Sequence, residues 1–159
     1  MRNAVFYYNI NKYIKGDSLI VMRKHSINYL KKSLSYSNQY QKPNVLRVMG
    51  NLYNDMIANN QNHYKTPLIG LDKVFDTGVI VFQKAIKLGK ETYKNPNRFL
   101  SQCYSLLALD YQYMKKYRVS DSLYDISIKY SKNNNEIIED FIKQKYRGFP
   151  ILKLFNSFA

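Results

Sequence analysis

Ser18 is the residue of this chain whose neighbours most resemble a nucleophile's surroundings, because it follows Gly16-Asp17 and precedes a leucine. A serine acts as a nucleophile only when a base accepts its proton. The chain has two histidines, His25 and His63, and neither follows an Asp-x-x spacing that would prepare it as that base. Asp-Ser-Leu also recurs at positions 121–123, which makes a helix start the better interpretation of both copies. We therefore expect no catalytic residue and no enzymatic activity.

Metal and cofactor binding are not indicated either. Cys103 is the single cysteine, and with two distant histidines it provides none of the ligand spacings typical of zinc sites. No glycine-rich phosphate loop is present. Glu136, Glu139 and Asp140 lie close to lysines, which is typical of a solvated helix face with local ion pairs. The sequence thus predicts no metal site and no cofactor.

Charge and composition limit the partners. The 159 residues carry 25 Lys and Arg against 11 Asp and Glu, a net charge of +14 that attracts polyanions. The lysines are spread in ones and twos, however, without the dense basic run of a nucleic-acid-binding arm. The chain has no secretory signal pattern and no apolar run near the roughly 20 residues needed to span a membrane. With one cysteine, the cytoplasm is the predicted location.

Turn-forming residues divide the chain into segments with helical periodicity. Gly, Pro and Asn clusters recur at 16–18, 42–44, 59–62, 95–97 and 133–135, and no segment alternates as a strand would. The pattern predicts an all-α fold whose helices are capped by Asp17 or Ser18, Asn44, Asn97 and Asp121. We expect seven helices, near residues 3–14, 17–39, 43–58, 68–93, 97–116, 119–132 and 135–146.

Two stretches of the chain repeat each other. Tyr13 and Asp17-Ser18-Leu19 are matched by Tyr117 and Asp121-Ser122-Leu123, which lie 104 positions later. This offset is about three times the roughly 34-residue period of helix-hairpin repeats. The frame extends upstream, where Ala4 and Tyr7 correspond to Ala108 and Tyr111.

The second copy resembles the tetratricopeptide repeat in Tyr104-x-x-Leu107-Ala108-x-x-Tyr111, followed by Ser120, Tyr124 and Ser127. A middle repeat is opened by Met49-Gly50 and closed by Gly78 and Ala85. The resemblance implies a right-handed superhelical array of about three antiparallel helix hairpins in one domain, 1–159. The repeats would cover 1–40, 43–94 with an insertion at 59–72, and 97–132, with a capping helix and tail at 135–159. The first repeat begins within its opening helix, so either a longer protein contains this module or residues 1–14 pair with a partner outside it.

Polar residues on the leading helices indicate where a partner would bind. Once Leu46, Met49, Gly50, Tyr53 and Ile57 are assigned to the buried stripe of the third helix, its polar residues remain together. An arginine and an asparagine one turn apart are similar to the pair with which some tetratricopeptide domains hold a terminal carboxylate. The next repeat departs from that pattern, so a polar groove for an extended peptide or helix is the safer prediction. The predicted peptide-binding residues are Arg47, Asn51 and Asn54, followed by Gln102, Ser105, Gln112 and Tyr113.

The leading hypothesis is a non-enzymatic scaffold that binds a protein or peptide in the concave groove of the array. Its irregular repeats are similar to the repeat sensor regions of bacterial signalling and regulatory proteins, which implies a module of a longer protein. The second hypothesis is binding of nucleic acid or another polyanion by lysines and stacked tyrosines. A third is self-association through the terminal hairpin or the apolar tail at 149–158.

Overall fold

All the regular structure that the computed structural model describes, in residues 17–62 and 70–131, is α-helical. This confirms the all-α prediction for that part of the chain. The predicted helices at 3–14 and 135–146 and the apolar tail lie outside the described residues. The superhelical tetratricopeptide arrangement and the count of seven helices stay predictions. The five helices are α1 (Asp17–Tyr36), α2 (Lys42–Asn62), α3 (Leu71–Thr92), α4 (Asn97–Tyr113) and α5 (Tyr117–Tyr130).

The described residues form two compact units, divided between Lys94 and Asn95. In the first unit α2 packs against both α1 and α3. The second unit contains the hairpin of α4 and α5. The assignment of residues 1–159 to one domain stays a prediction.

The core of the first unit is centred on α2 because that helix is covered from two sides. All five members of its predicted stripe are buried. Val45, Leu52 and Met56 are buried as well, which widens the apolar surface beyond one face. Gly50 permits a close approach of α3, since a Cβ atom added there would lie 2.7 Å from the ring of the fully buried Phe82.

The start of α2 differs from the predicted one. The Asn38 side-chain oxygen accepts a hydrogen bond from the Gln41 N–H at 3.0 Å, and the Gln41 Oε1 accepts one from the Asn38 N–H at 3.3 Å. This reciprocal pair satisfies N–H groups as a capping box does, and it allows Pro43 to stand in the first helical turn. The prediction of Asn44 as the cap was wrong, because Asn44 lies inside the helix.

Three other local predictions were wrong. Asn97 and Asp121 lie inside α4 and α5, whose N-caps are Pro96 and Lys116. The Asn-rich segment 59–62 continues α2 instead of forming a loop. Extending an existing helix adds one hydrogen bond per residue, and this outweighs the modest helix propensity of Asn and Gln. Of the rest of the predicted insertion, residues 63–69 lie outside the described part of the chain, whereas Gly70 is the N-cap of α3 and residues 71–72 begin that helix.

The α4–α5 hairpin is closed by a sharp turn and by small residues. Lys115 has φ +60°, and the Lys115 and Lys116 N–H groups donate to carbonyls in the last turn of α4. These two bonds are those of a Schellman motif, in which the left-handed position is usually a glycine. Ala108 and Tyr124, two residues of the predicted repeat signature, have no exposed surface.

Candidate functional site: a lysine-lined cleft

The three predicted binding residues of α2 differ in accessibility. Arg47 is half-buried, and its Nε and Nη2 donate to the Asn44 side-chain oxygen at 3.2 and 3.0 Å. Asn51 is half-buried too, whereas Asn54 is only 3% exposed. Both asparagines already interact with other residues of the chain. Asn54 is therefore a core residue. Of the three predicted binding residues of α2, Arg47 and Asn51 are the two that reach solvent.

The four predicted residues of α4 belong to the second unit. Gln102, Gln112 and Tyr113 are half-buried, and Ser105 is only 4% exposed. The Gln112 Oε1 accepts a hydrogen bond from the Tyr124 hydroxyl at 3.2 Å, so its amide helps to fix the α4–α5 hairpin. The role of all seven residues in peptide binding stays a prediction.

A cleft that the sequence did not reveal opens in the first unit, where the ends of α1 and α3 meet the start of α2. Its volume of about 620 Å³ is within the range of small ligand sites. Leucines from all three helices line it, and lysine stems and head groups surround them. We call this site the lysine cleft; it is lined by Lys31, Leu34, Ser35, Lys42, Leu46, Lys84, Lys87, Leu88 and Glu91.

Helical spacing explains how each wall of the lysine cleft is formed. On α3, Lys84, Lys87 and Leu88 are three and four positions apart, so they share one face. On α1, Lys31 and Leu34 are related in the same way. The leucines pack toward the floor, while a lysine can lay its methylene stem along an apolar wall and keep its ammonium group in water.

The charges around the lysine cleft are unbalanced. Its lining has four ammonium groups and a single carboxylate, that of Glu91. The side chains of the four lysines and of Glu91 form no hydrogen bond or ion pair with any other residue in the described part of the chain. A concave surface lined by charge of one sign concentrates ions of the opposite sign. The cleft therefore combines an aliphatic floor with an attraction for anionic groups.

A second cleft of about 380 Å³ lies further along the same helices. Lys31 lines both clefts, and the lysines of the second one are again on α1 and α3. Tyr53 contributes to the floor, and burial raises the pKa of its hydroxyl, which stays neutral there. We call this site the second cleft; it is lined by Lys24, Ile27, Asn28, Lys31, Tyr53, Met56, Gly70, Lys73, Val74 and Thr77.

A buried ion pair holds the α1 wall of the second cleft against α2. The Arg23 Nη1 donates to the Asp55 backbone carbonyl at 2.9 Å, and its Nη2 lies 3.6 Å from the Asp55 carboxylate. Burial raises the pKa of Asp55, and the positive charge of Arg23 opposes that rise. The arginine thus compensates part of the cost of partly burying this carboxylate.

The two clefts lie on a different side of α2 from the predicted groove. Leu46, Tyr53 and Met56 form the α2 part of the cleft floors. At 3.6 residues per turn they are centred about 150° around the helix axis from the face of Arg47 and Asn51. The sequence did point to lysines in ones and twos, but which of them gather on one surface depends on the packing of three helices.

Residues 17–62 and 70–131 contain neither a metal site nor a membrane-spanning helix. No group of three or more His, Cys, Asp or Glu side chains there is arranged to hold a metal ion. None of the described helices is long and apolar enough to cross a membrane. No protein-family model, curated protein or solved structure matches the chain.

Proposed function

We propose that this chain is a non-enzymatic helical-repeat module that binds an acidic, aliphatic segment of a partner protein in the lysine cleft. The observation that carries the proposal is the set of four lysines without ion-pair partners in the described chain around a floor of leucines. A partner segment with Asp or Glu beside Leu, Ile or Val satisfies both parts of this surface. Its aliphatic side chains lose water on the floor, and its carboxylates pair with the ammonium groups.

The composition of the floor favours a protein partner over nucleic acid. Single-stranded nucleic acid gains much of its affinity from bases that stack on aromatic side chains. The residues described around the lysine cleft include no aromatic side chain, and their apolar surface is aliphatic. Phosphates alone would use the lysines and leave the leucines uncovered.

Polyanion binding is the second candidate, and the charge of the chain supports it. The net charge of +14 and the open lysines would hold phosphates by a sequence-independent, salt-sensitive attraction. Under this alternative the leucines contribute little, and affinity follows the number of phosphates.

The tetratricopeptide-like arrangement is part of the proposal as well. It is supported by the buried small residues Ala108, Ser120 and Ser127, at the positions where the repeat signature requires close helix contact. Arg47 and Asn51 remain candidates for a second contact surface on α2. We retain a role as sensor or regulatory module of a longer protein, in the cytoplasm, as the biological setting.

Selection from a displayed random-peptide library at physiological salt tests the proposal. The bait is the full chain, compared with a Lys84→Glu/Lys87→Glu variant and with a matched Lys90→Glu/Lys94→Glu control. All four lysines are exposed, and the control pair lies outside both cleft linings. We expect enriched peptides that combine Asp or Glu with Leu, Ile or Val, bind the control variant, and are lost with the cleft variant.

Two results would overturn this function. If no peptide is enriched on the unmodified chain, the lysine cleft is not a protein-binding site. If single-stranded DNA binds more tightly than the enriched peptides, with a steep salt dependence and loss in the cleft variant, the polyanion alternative replaces it.

A further inference from the structure

We infer that the partner segment is an acidic amphipathic α-helix that spans the lysine cleft and the second cleft as one ligand. The inference rests on the proposed function, and it adds the conformation, length and charge pattern of the ligand. Lys31 is common to both cleft linings, so a ligand in one cleft meets a residue of the other.

The length of the ligand helix follows from the distance over which lysines line the cleft walls. On α3 the cleft-lining lysines extend from Lys73 to Lys87, which is about 21 Å at 1.5 Å per helical residue. A helix of the same length has about 14 residues, or four turns. Such a segment reaches both clefts, whereas a segment of two turns reaches one.

The chemistry of the two cleft floors determines the conformation of the bound ligand. An extended peptide needs partners for its backbone N–H and C=O groups. The floors present Leu34, Leu46 and Leu88 in one cleft and Ile27, Met56 and Val74 in the other. The walls are α-helices, whose own backbone groups are bonded internally, so they provide no free edge for a strand. A helix satisfies its backbone by itself and presents an apolar stripe, which is the usual mode of binding in such grooves.

The lysines determine the charge pattern of that helix. Lys24 and Lys31 on α1 are seven positions apart, or about two turns, and Lys73, Lys84 and Lys87 line the opposite wall. A ligand helix between these walls meets positive charge on both sides of its apolar stripe. Acidic residues on both flanks of the stripe, rather than on one, therefore complement the site.

Fluorescence anisotropy with labelled synthetic peptides tests the inference on the full chain. The first probe is a Glu/Leu/Ala peptide of about 16 residues, with leucines on one helical face and glutamates on both flanks. The second is the same peptide with two central alanines changed to proline, which prevents the helix. The third is a two-turn truncation of the first. The chain carries Lys87→Glu for the lysine cleft, Lys73→Glu for the second cleft, or Lys90→Glu as a matched charge-reversal control on α3.

We expect the long peptide to lose about tenfold in affinity with either Lys87→Glu or Lys73→Glu and to change little with Lys90→Glu. The proline peptide should bind at least about tenfold more weakly than its parent, because it must give up the helix. The truncated peptide should respond to one of the two cleft variants and not to the other.

The outcomes separate this inference from the proposed function. If the proline peptide binds as tightly as its parent, or if Lys73→Glu leaves the long peptide unaffected while Lys87→Glu weakens it, the spanning helix is wrong and the lysine cleft still binds protein. If the peptides selected from the library are themselves unaffected by Lys87→Glu, the proposed function is wrong, and this inference falls with it.

Discussion

The hairpins α2–α3 and α4–α5 achieve close helix packing by different chemistry. In the first, the missing side chain of Gly50 admits the edge of the buried Phe82 ring. In the second, the Ser120 and Ser127 hydroxyls each donate to a backbone carbonyl of α4, at 2.8 Å in both cases. The first contact depends on shape, and the second depends on hydrogen bonds between a small polar side chain and the neighbouring backbone.

The two hairpins should therefore tolerate different substitutions. A contact based on shape is sensitive to added volume, because a packed ring inside a core has nowhere to move. A contact based on buried hydroxyls is sensitive to the loss of a hydroxyl group, because the hydrogen bond that each hydroxyl donates compensates for its removal from water. In the first unit, a polar contact between helices lies away from this hairpin, in the Arg23–Asp55 pair between α1 and α2.

The largest expected effect on stability is at the Arg23–Asp55 pair. We expect Arg23→Met to lower the free energy of unfolding by about 2–3 kcal/mol at neutral pH, because Asp55 then stays partly buried without its cation. The Asp55 side chain keeps 26% of its surface exposed, which holds the loss to the low end of the range for such pairs. Urea unfolding monitored by circular dichroism measures the change.

The pH dependence of the same pair distinguishes charge from packing. The pKa of Asp55 is raised above 3.8 in the folded chain, so the folded state binds this proton more tightly than the unfolded state does. Its contribution to stability is complete below the unfolded pKa and is lost as pH rises through the folded pKa. Acidification toward pH 3.8 should therefore recover part of the Arg23→Met loss. An equal loss at every pH would assign the effect to packing.

The contact between Gly50 and Phe82 should be disrupted by one carbon atom added at Gly50. Gly50→Ala should destabilise the first unit by about 1–2 kcal/mol, because the cost of overpacking against Phe82 exceeds the roughly 1 kcal/mol gained in helix propensity. Replacing the ring as well, in Gly50→Ala/Phe82→Leu, should relieve the clash. The double variant should then be more stable than Phe82→Leu alone. Chemical denaturation of the unmodified chain, the two single variants and the double variant gives the coupling energy between Gly50 and Phe82. Additive effects of the two substitutions would contradict the contact.

The α4–α5 hairpin should be destabilised by the loss of its buried serine hydroxyls. Ser127→Ala and Ser120→Ala should each cost about 1 kcal/mol, since each removes a buried bond across the hairpin. Ser122→Ala is the matched control on α5, because its hydroxyl is exposed and donates within its own helix. If Ser122→Ala costs as much as the other two, helix propensity rather than the contact between helices explains the losses. Thermal unfolding of the three variants provides the comparison.

The smallest expected effect is a gain at the turn of the second hairpin. Lys115 is in the left-handed region at φ +60°, where a side chain is disfavoured and glycine is not. We expect Lys115→Gly to raise the free energy of unfolding by about 0.5–1 kcal/mol. Lys116→Gly, one position later at the N-cap of α5, should give no such gain. Stabilisation by both changes would mean that lost charge, and not backbone strain, is responsible.

The positions of the five described helices were predictable from the sequence, because apolar periodicity and turn residues are local signals. Apart from the extension of α2 to Asn62, the predicted ends lie within about three residues of the observed ones. The buried stripe of α2 and the small residues of the α4–α5 hairpin were predictable for the same reason. Individual caps were not, because competing partners decide them: Asn44 binds Arg47, and Asn38 with Gln41 begins α2.

The candidate site was predictable only in part. A basic chain with lysines in ones and twos follows directly from composition. Asn54 and Ser105 were predicted to face a groove and are nearly inaccessible, because α2 and α4 are each covered over a wider surface than one stripe. The amphipathic pattern identifies the first face of a helix to be covered and does not reveal a second.

By itself, the sequence determined that this part of the chain is helical, where its helices lie, and that it carries an excess of positive charge. These properties depend on neighbours within about four positions or on composition alone. The tertiary structure decided which lysines surround a common floor. Lys31, Lys42 and Lys87 come from three helices, and no spacing along the chain relates them. Their proximity results from the packing of α1 and α3 on α2, which is a property of the folded surface.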